Sequence, residues 1–242
     1  MKKAKPLGFF DYPRPSVAVD LVVFTMLDAD LKVLLVRRGE APQKGEHALP
    51  GGFVRVGMTP TDQGESVDAA AVRELEEETG LPADKCYLEQ LYTFGDAGRD
   101  TRGRVISVAY YALIRPTLAP LVRAGGDAEV AEWVSVSTLA LDTLAFDHGR
   151  ILEAGLARIR GKLDYSDLAF ALVPETFTIP ELRSVHEVVK GRAYDKGNFR
   201  RRFQRMLADG VIQPAVGKRI TGAKPAKVYR FRGLRESATG SQ

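Results

Sequence analysis

The sequence predicts an α/β protein in two parts: helices packed on a mixed sheet over residues 1–164, then a winged helix-turn-helix over residues 165–242. Three observations carry this. Residues 17–162 alternate β-branched strand patterns with two amphipathic helices. Residues 178–232 read as two helices followed by two short β runs. The charge breaks at the same place: from Tyr165 onward there are 15 Lys and Arg against 7 Asp and Glu, whereas the first 164 residues hold 20 against 24. An acidic part joined to a basic part suggests two tasks, the basic one facing a polyanion.

Taken in order, Val17–Leu27 and Lys32–Arg38 form a hairpin pattern around Asp28-Ala29-Asp30. His47–Val54 is a short strand interrupted by Gly51-Gly52. Ser66–Thr79 is a helix, with Ser66 as N-cap and Gly80 placed to end it. Val72, Leu75 and Thr79 recur at i, i+3 and i+7 and predict its inward face. Cys86–Phe94, Val105–Ile114 and Glu129–Val136 read as strands, with Cys86 a core residue, and Phe146–Lys162 as a closing helix. Leu163–Phe177 is the expected connection.

Composition excludes several classes. With 242 residues, 45% hydrophobic and 27% charged, the chain can build one large or two modest cores. No apolar run approaches the roughly 18 residues of a membrane helix, and no signal-peptide core follows the basic start Met1–Pro6. Cys86 is the only cysteine, which rules out a disulfide within the chain and a cysteine zinc site. A reducing, cytoplasmic setting is expected.

The helix at 66–79 carries the chemistry. At 100° per residue Glu74, Glu77 and Glu78 share one narrow side, while Glu76 points elsewhere. Three like charges so close weaken an isolated helix, and a hard divalent cation such as Mg²⁺ would relieve that. An acidic helix alone is most often a solvated face. Here Glu65, Arg73, Glu74, Leu75, Glu77, Glu78, Gly80 and Leu81 stand at the spacing G-x5-E-x7-R-E-U-x-E-E-x-G-U, where U is apolar. The run therefore resembles the Nudix box, and residues 17–162 resemble the Nudix α/β/α sandwich. The box glycine departs from the pattern: its position holds Thr59, and Gly52 lies about seven residues too early, with the insert around Arg55–Gln63.

The resemblance implies that Glu74, Glu77 and Glu78 hold Mg²⁺ and serve catalysis, while Glu65 and Arg73 brace loop against helix. It also implies that a metal-activated water attacks a pyrophosphate. A second stretch, Gly95–Arg104, is too charged for an ordinary hairpin loop. Arg99, Asp100 and Arg102, with Ser107-Val108-Ala109-Tyr110 after them, resemble Nudix proteins that sense ADP-ribose. A clamp on diphosphate and ribose is expected there, with Gly51, Gly52 and Phe53 lining the same pocket.

In the basic part, Thr178-Ile179-Pro180-Glu181 reads as a capping box opening a helix stripe of Leu182, Val185, Val188 and Val189. Asp195 caps a second helix, Lys196–Ala208, whose core face is Phe199, Phe203, Met206 and Leu207. Asn198, Arg200, Arg201, Arg202 and Arg205 are its expected DNA contacts, and Lys218, Arg219, Lys224 and Lys227 those of the wing between Val211–Val216 and Lys227–Arg232. A Nudix domain followed by a basic winged helix resembles the Nudix-related transcriptional regulators of NAD metabolism. That resemblance implies a dimeric repressor on double-stranded DNA, released by ADP-ribose or a related nucleotide. The intact glutamates leave a second reading open, an Mg²⁺-dependent ADP-ribose pyrophosphatase. An RNA-linked role lacks the aromatic platform that single strands require.

Overall fold

A computed structural model describes residues 14–57, 62–122, 128–220 and 225–232. Seven strands build the first sheet: β1 (Ser16–Leu27), β2 (Asp30–Arg38), β3 (His47–Ala48), β4 (Gly51–Phe53), β5 (Tyr87–Phe94), β6 (Val105–Leu113) and β7 (Ala128–Ser135). The order is β3-β2-β1-β6-β5, with β4 on β1 and β7 on β2. The sheet is mixed because β1 and β6 run parallel, from Ser16 opposite Val105 to Phe24 opposite Leu113. All other pairs are antiparallel. The β1–β2 turn places Asp28 and Ala29 both at positive φ, the geometry that matches strand twist in a two-residue hairpin.

Alternation along β1 sends side chains to opposite faces. Val19, Leu21 and Val23 pack under α1 (Val67–Thr79), while Val22 and Phe24 pack under α2 (His148–Lys162). The sheet is thus sandwiched between one helix and the other. Ser66 caps α1 by accepting from the Ala69 N–H at 3.1 Å, and Gly80 ends it with φ +68, a conformation that costs glycine little.

The inward face of α1 differs from the pattern read in the sequence. Ala70, Ala71 and Leu75 contact the sheet, whereas Val72 is exposed. Small alanines let the helix lie close to the sheet, and Glu74 and Glu78 of the same helix are buried as well. Two further boundaries moved. Cys86 stays half-buried just before β5, and Phe146 stands outside α2 at φ +55.

A short helix, α3 (Leu168–Ala171), interrupts the expected connection. Then come β8 (Thr176–Phe177), α4 (Ile179–Lys190), α5 (Lys196–Ala208), β9 (Ile212–Ile220) and β10 (Pro225–Phe231). The three strands pair as β8-β10-β9, and β8 was not apparent from sequence because two residues carry no periodicity. Strand β9 continues through Gly217–Ile220, which the sequence pattern assigns to the loop of the wing. Leu182, Val185, Val189, Phe199 and Phe203 close the core between α4, α5 and the small sheet, while Val188 is only half-buried and His186 takes its place inside.

Candidate functional site

A cavity of about 420 Å³ opens between α1, β4, the β5–β6 loop and the residues just before α2. Glu74, Glu77 and Glu78 form one wall. Gly51, Gly52 and Phe53 form the adjacent edge, and Arg99, Asp100 and Arg102 reach in from the β5–β6 loop. The close approach of β4 to α1 explains the glycine: a Cβ at Gly52 would lie 2.2 Å from Glu74 Oε1.

Arg73 organises the wall. Its Nε and Nη2 donate to the two Glu65 oxygens at 3.0 and 2.6 Å, and Nη2 also reaches the Phe53 carbonyl at 3.2 Å. These bonds brace the loop against the helix and hold the Glu65 carboxyl at about 2, the Arg73 hydrogen bond being the main cause. Arg73 Nη1 then donates to Glu74 Oε1 at 2.6 Å and Glu77 Oε2 at 2.9 Å. Burial pushes the Glu74 carboxyl upward despite that partner. Arg55, from the loop after β4, takes the other Glu77 oxygen at 3.0 Å. Glu76 turns away and accepts from the Ala83 N–H.

Carboxylates are the right donors for a hard divalent cation. Their arrangement here is not that of a metal cage, since both Glu77 oxygens and one of Glu74 are taken by arginines. Among the described residues, no group of three or more His, Cys, Asp or Glu side chains is placed to hold a metal ion.

The opposite side of the cavity contains residues that sequence reading missed. Two guanidiniums lie over the Phe146 ring, Arg38 at 4.7 Å and Arg102 at 5.2 Å, and Arg102 also covers Phe53 at 5.1 Å. Beneath them Arg99, almost fully buried, bonds Asp147 at 2.6 and 3.0 Å and Asp20 at 3.3 Å. Burial alone would lower the Arg99 pKa, yet Asp147 and Asp20 raise it, so the guanidinium stays charged. His148 accepts from the Leu49 N–H, and burial lowers its pKa. One signal was available: Asp20 interrupts an otherwise apolar strand, and a buried charge needs a partner. Chemically, the cavity offers arginines for a diphosphate, ring faces for a base and carboxylates for hydroxyls.

On α5, a second concavity is lined by Gly197, Asn198, Arg200, Arg201, Gln204 and Arg205. Asp195 caps the helix, accepting from the Asn198 N–H at 2.8 Å, and Arg201 donates to the Asn198 side chain. Two expected members of the basic surface are engaged elsewhere. Arg202 donates to the Asp164 carbonyl at 2.7 Å and its carboxylate at 3.2 Å. Arg219 forks onto Glu181 at 2.8 and 2.9 Å. Lys218 and Lys227 are exposed on the small sheet, and Lys224 lies outside the described residues.

Residues 16–155 match the NUDIX domain and residues 169–231 the NrtR DNA-binding winged helix domain. The chain is 38% identical over 221 residues to an ADPR responsive transcriptional repressor, NtrR, of Acinetobacter baylyi, covering 91% of this chain and 84% of that one. It is 40% identical over 142 residues to an ADP-ribose pyrophosphatase of Methanocaldococcus jannaschii, covering 59% and 73%. Among solved structures, Shewanella oneidensis NrtR complexed with a 27mer DNA superposes with a TM-score of 0.73 at 33% identity, covering 89% of this chain and 93% of that one. With a Nudix sandwich carrying the box and the matching winged helix behind it, the chain belongs to the NrtR family of Nudix proteins.

Proposed function

We propose that this protein is a transcriptional repressor that binds double-stranded DNA through α5 and the wing and is released by ADP-ribose or a closely related nucleotide in the Nudix cavity. One observation carries the reading: a single chain holds a cavity of small-molecule size lined by arginines and aromatic rings and an exposed arginine face on α5. Arg99, Arg102 and Asp100, with Gly51, Gly52 and Phe53, surround the diphosphate and ribose in this reading. Asn198, Arg200, Arg201 and Arg205 enter the major groove, and Lys218 and Lys227 follow the backbone. The boundary between the two parts falls at Asp164–Tyr165. A homodimer fits this function, because two-fold readers place paired recognition helices on half-sites. A cytoplasmic setting fits too; among the described residues no helix is long and apolar enough to cross a membrane.

The test titrates the protein with a duplex that it has itself enriched from a randomised pool, at about 0.15 M salt, with and without ADP-ribose. Tight binding that ADP-ribose weakens is expected, and weak, nonspecific binding sinks the proposal. Arg201→Ala and Arg205→Ala should each weaken DNA binding by about 1–3 kcal/mol and leave ADP-ribose binding intact; an equal loss of both would refute the division of labour.

The presence of Glu74, Glu77 and Glu78 together on the cavity wall favours a second reading, an ADP-ribose pyrophosphatase. Nudix hydrolases use divalent metal, and Mg²⁺ is the expected ion under this reading. Glu77 would first have to part from Arg55 and Arg73. AMP release on the order of 1 s⁻¹ or faster would put the enzyme first.

A further inference from the structure

We infer that Asp164 is the positioning residue of the DNA-reading helix, and that α2 connects it to the nucleotide cavity. Asp164 follows Leu163, the C-cap of α2. Its Oδ2 accepts from Lys190 Nζ of α4 at 2.6 Å, and its Oδ1 from Tyr194 Oη at 3.1 Å and Arg202 Nη1 of α5 at 3.2 Å. Arg202 adds a bond to the Asp164 backbone oxygen at 2.7 Å. One carboxylate thus ties the Nudix part to both helices of the helix-turn-helix. Arg160 supplies a further strap, donating to the Val189 carbonyl at 3.0 Å.

The same helix begins in the cavity. Asp147 precedes α2 and holds Arg99, which lines the cavity wall. Between the two ends α2 buries Ile151, Leu152, Leu156 and Ile159 against the sheet. Gly155 lies so near the sheet that a Cβ there would meet Val22 at 3.1 Å. A packed helix of 15 residues, roughly 22 Å long, moves as a unit.

A diphosphate seated on Arg99 is an oxyanion competing with Asp147 for the same guanidinium. Drawing Arg99 toward the ligand loosens the start of α2. Shifts of about 1–2 Å are a recurrent switching step in packed helices, and Asp164 carries such a shift into α5. Burial alone would raise the Asp164 carboxyl, but Lys190, Arg202 and Tyr194 hold it at about 2, so it stays ionised at physiological pH.

This inference rests on the ADP-ribose-responsive reading. The test uses the full chain and the duplex described above. It measures ADP-ribose affinity by calorimetry and the factor by which ADP-ribose weakens DNA binding. For the unaltered protein a factor within the usual 5–150-fold range of coupling is expected. Asp164→Ala should bind ADP-ribose within about twofold of the unaltered protein while the coupling factor falls at least fivefold or to near one. Lys190→Gln, outside the DNA face, should reduce the factor less. A factor unchanged in both variants overturns the inference. If Asp164→Ala fails to fold, Lys190→Gln decides alone by the same criterion. If ADP-ribose binds the unaltered protein but leaves its DNA affinity unchanged, the function proposed above and this inference both fall, a result distinct from loss in the variants only.

Discussion

At the scale of single residues, the box glutamates divide into two groups. Glu65 acts through Arg73 on the loop, whereas Glu77 faces the cavity with both oxygens held by arginines. Spacing along the chain made the glutamates legible, because their positions follow from helix geometry. Their partners were not, because Arg55 lies 22 residues from Glu77 in sequence and meets it only through the path of the loop. Phe146 escaped for a similar reason: it reads as the first residue of a helix, but it stands outside it at φ +55 with its ring against Arg38 and Arg102. The Arg55 pair yields a prediction. Arg55→Gln removes one positive charge and frees an oxygen of Glu77, so Mn²⁺, followed by electron paramagnetic resonance, should bind several-fold tighter than to the unaltered protein. Exposed pairs contribute only about 0–1 kcal/mol, so a much larger gain is not expected. Equal Mn²⁺ affinity in both proteins would show that Arg55 does not compete with metal.

At the scale of elements, helix ends were more legible than helix faces. Ser66, Thr178 and Asp195 each accept a hydrogen bond from the backbone N–H three residues on, as their residue types suggest. The capping box is complete, since Glu181 also accepts from the Thr178 N–H at 2.7 Å. Faces depend on what lies opposite. Ala70 and Ala71 displaced Val72 from the contact because close approach to β1 favoured small residues over apolar size. The wing was harder still, because a strand containing Gly217 in sequence looks like a loop. Thr178→Ala should lower unfolding stability by about 1 kcal/mol, read by urea titration. A change within error would mean that Glu181 and Arg219 hold the start of α4 without the threonine.

At the scale of the whole molecule, the joint between the two parts is a charged cluster in which Asp164 is exposed and only His186 is buried. His186 is nearly fully buried in α4, facing Asp164, with Arg202 and Lys190 close by; burial chiefly, and then the Arg202 charge, lower its pKa to about 4. An unfolded histidine titrates near 6.5. The unfolded chain therefore binds the proton first as acid is added. The stability that follows from a neutral His186 is fully present above about pH 6.5 and is lost between there and about pH 4, a change of about 3 kcal/mol. Thermal melts from pH 7 to 4.5 should show this decline, and His186→Gln should flatten it; an unaltered slope would point to another group. The sequence announced the two parts through their charge contrast but not this joint, because Asp164 reads as a linker residue until α4 and α5 are packed beside it. The inward engagement of Arg202 and Arg219 has a consequence for counterions. Each DNA phosphate neutralised by a protein cation releases condensed salt, giving a slope of about −0.9 per contact in a plot of log affinity against log salt concentration. Two arginines already neutralised by Asp164 and Glu181 release none, so this protein should hold DNA with a shallower salt dependence than the 15 basic residues after Asp164 imply.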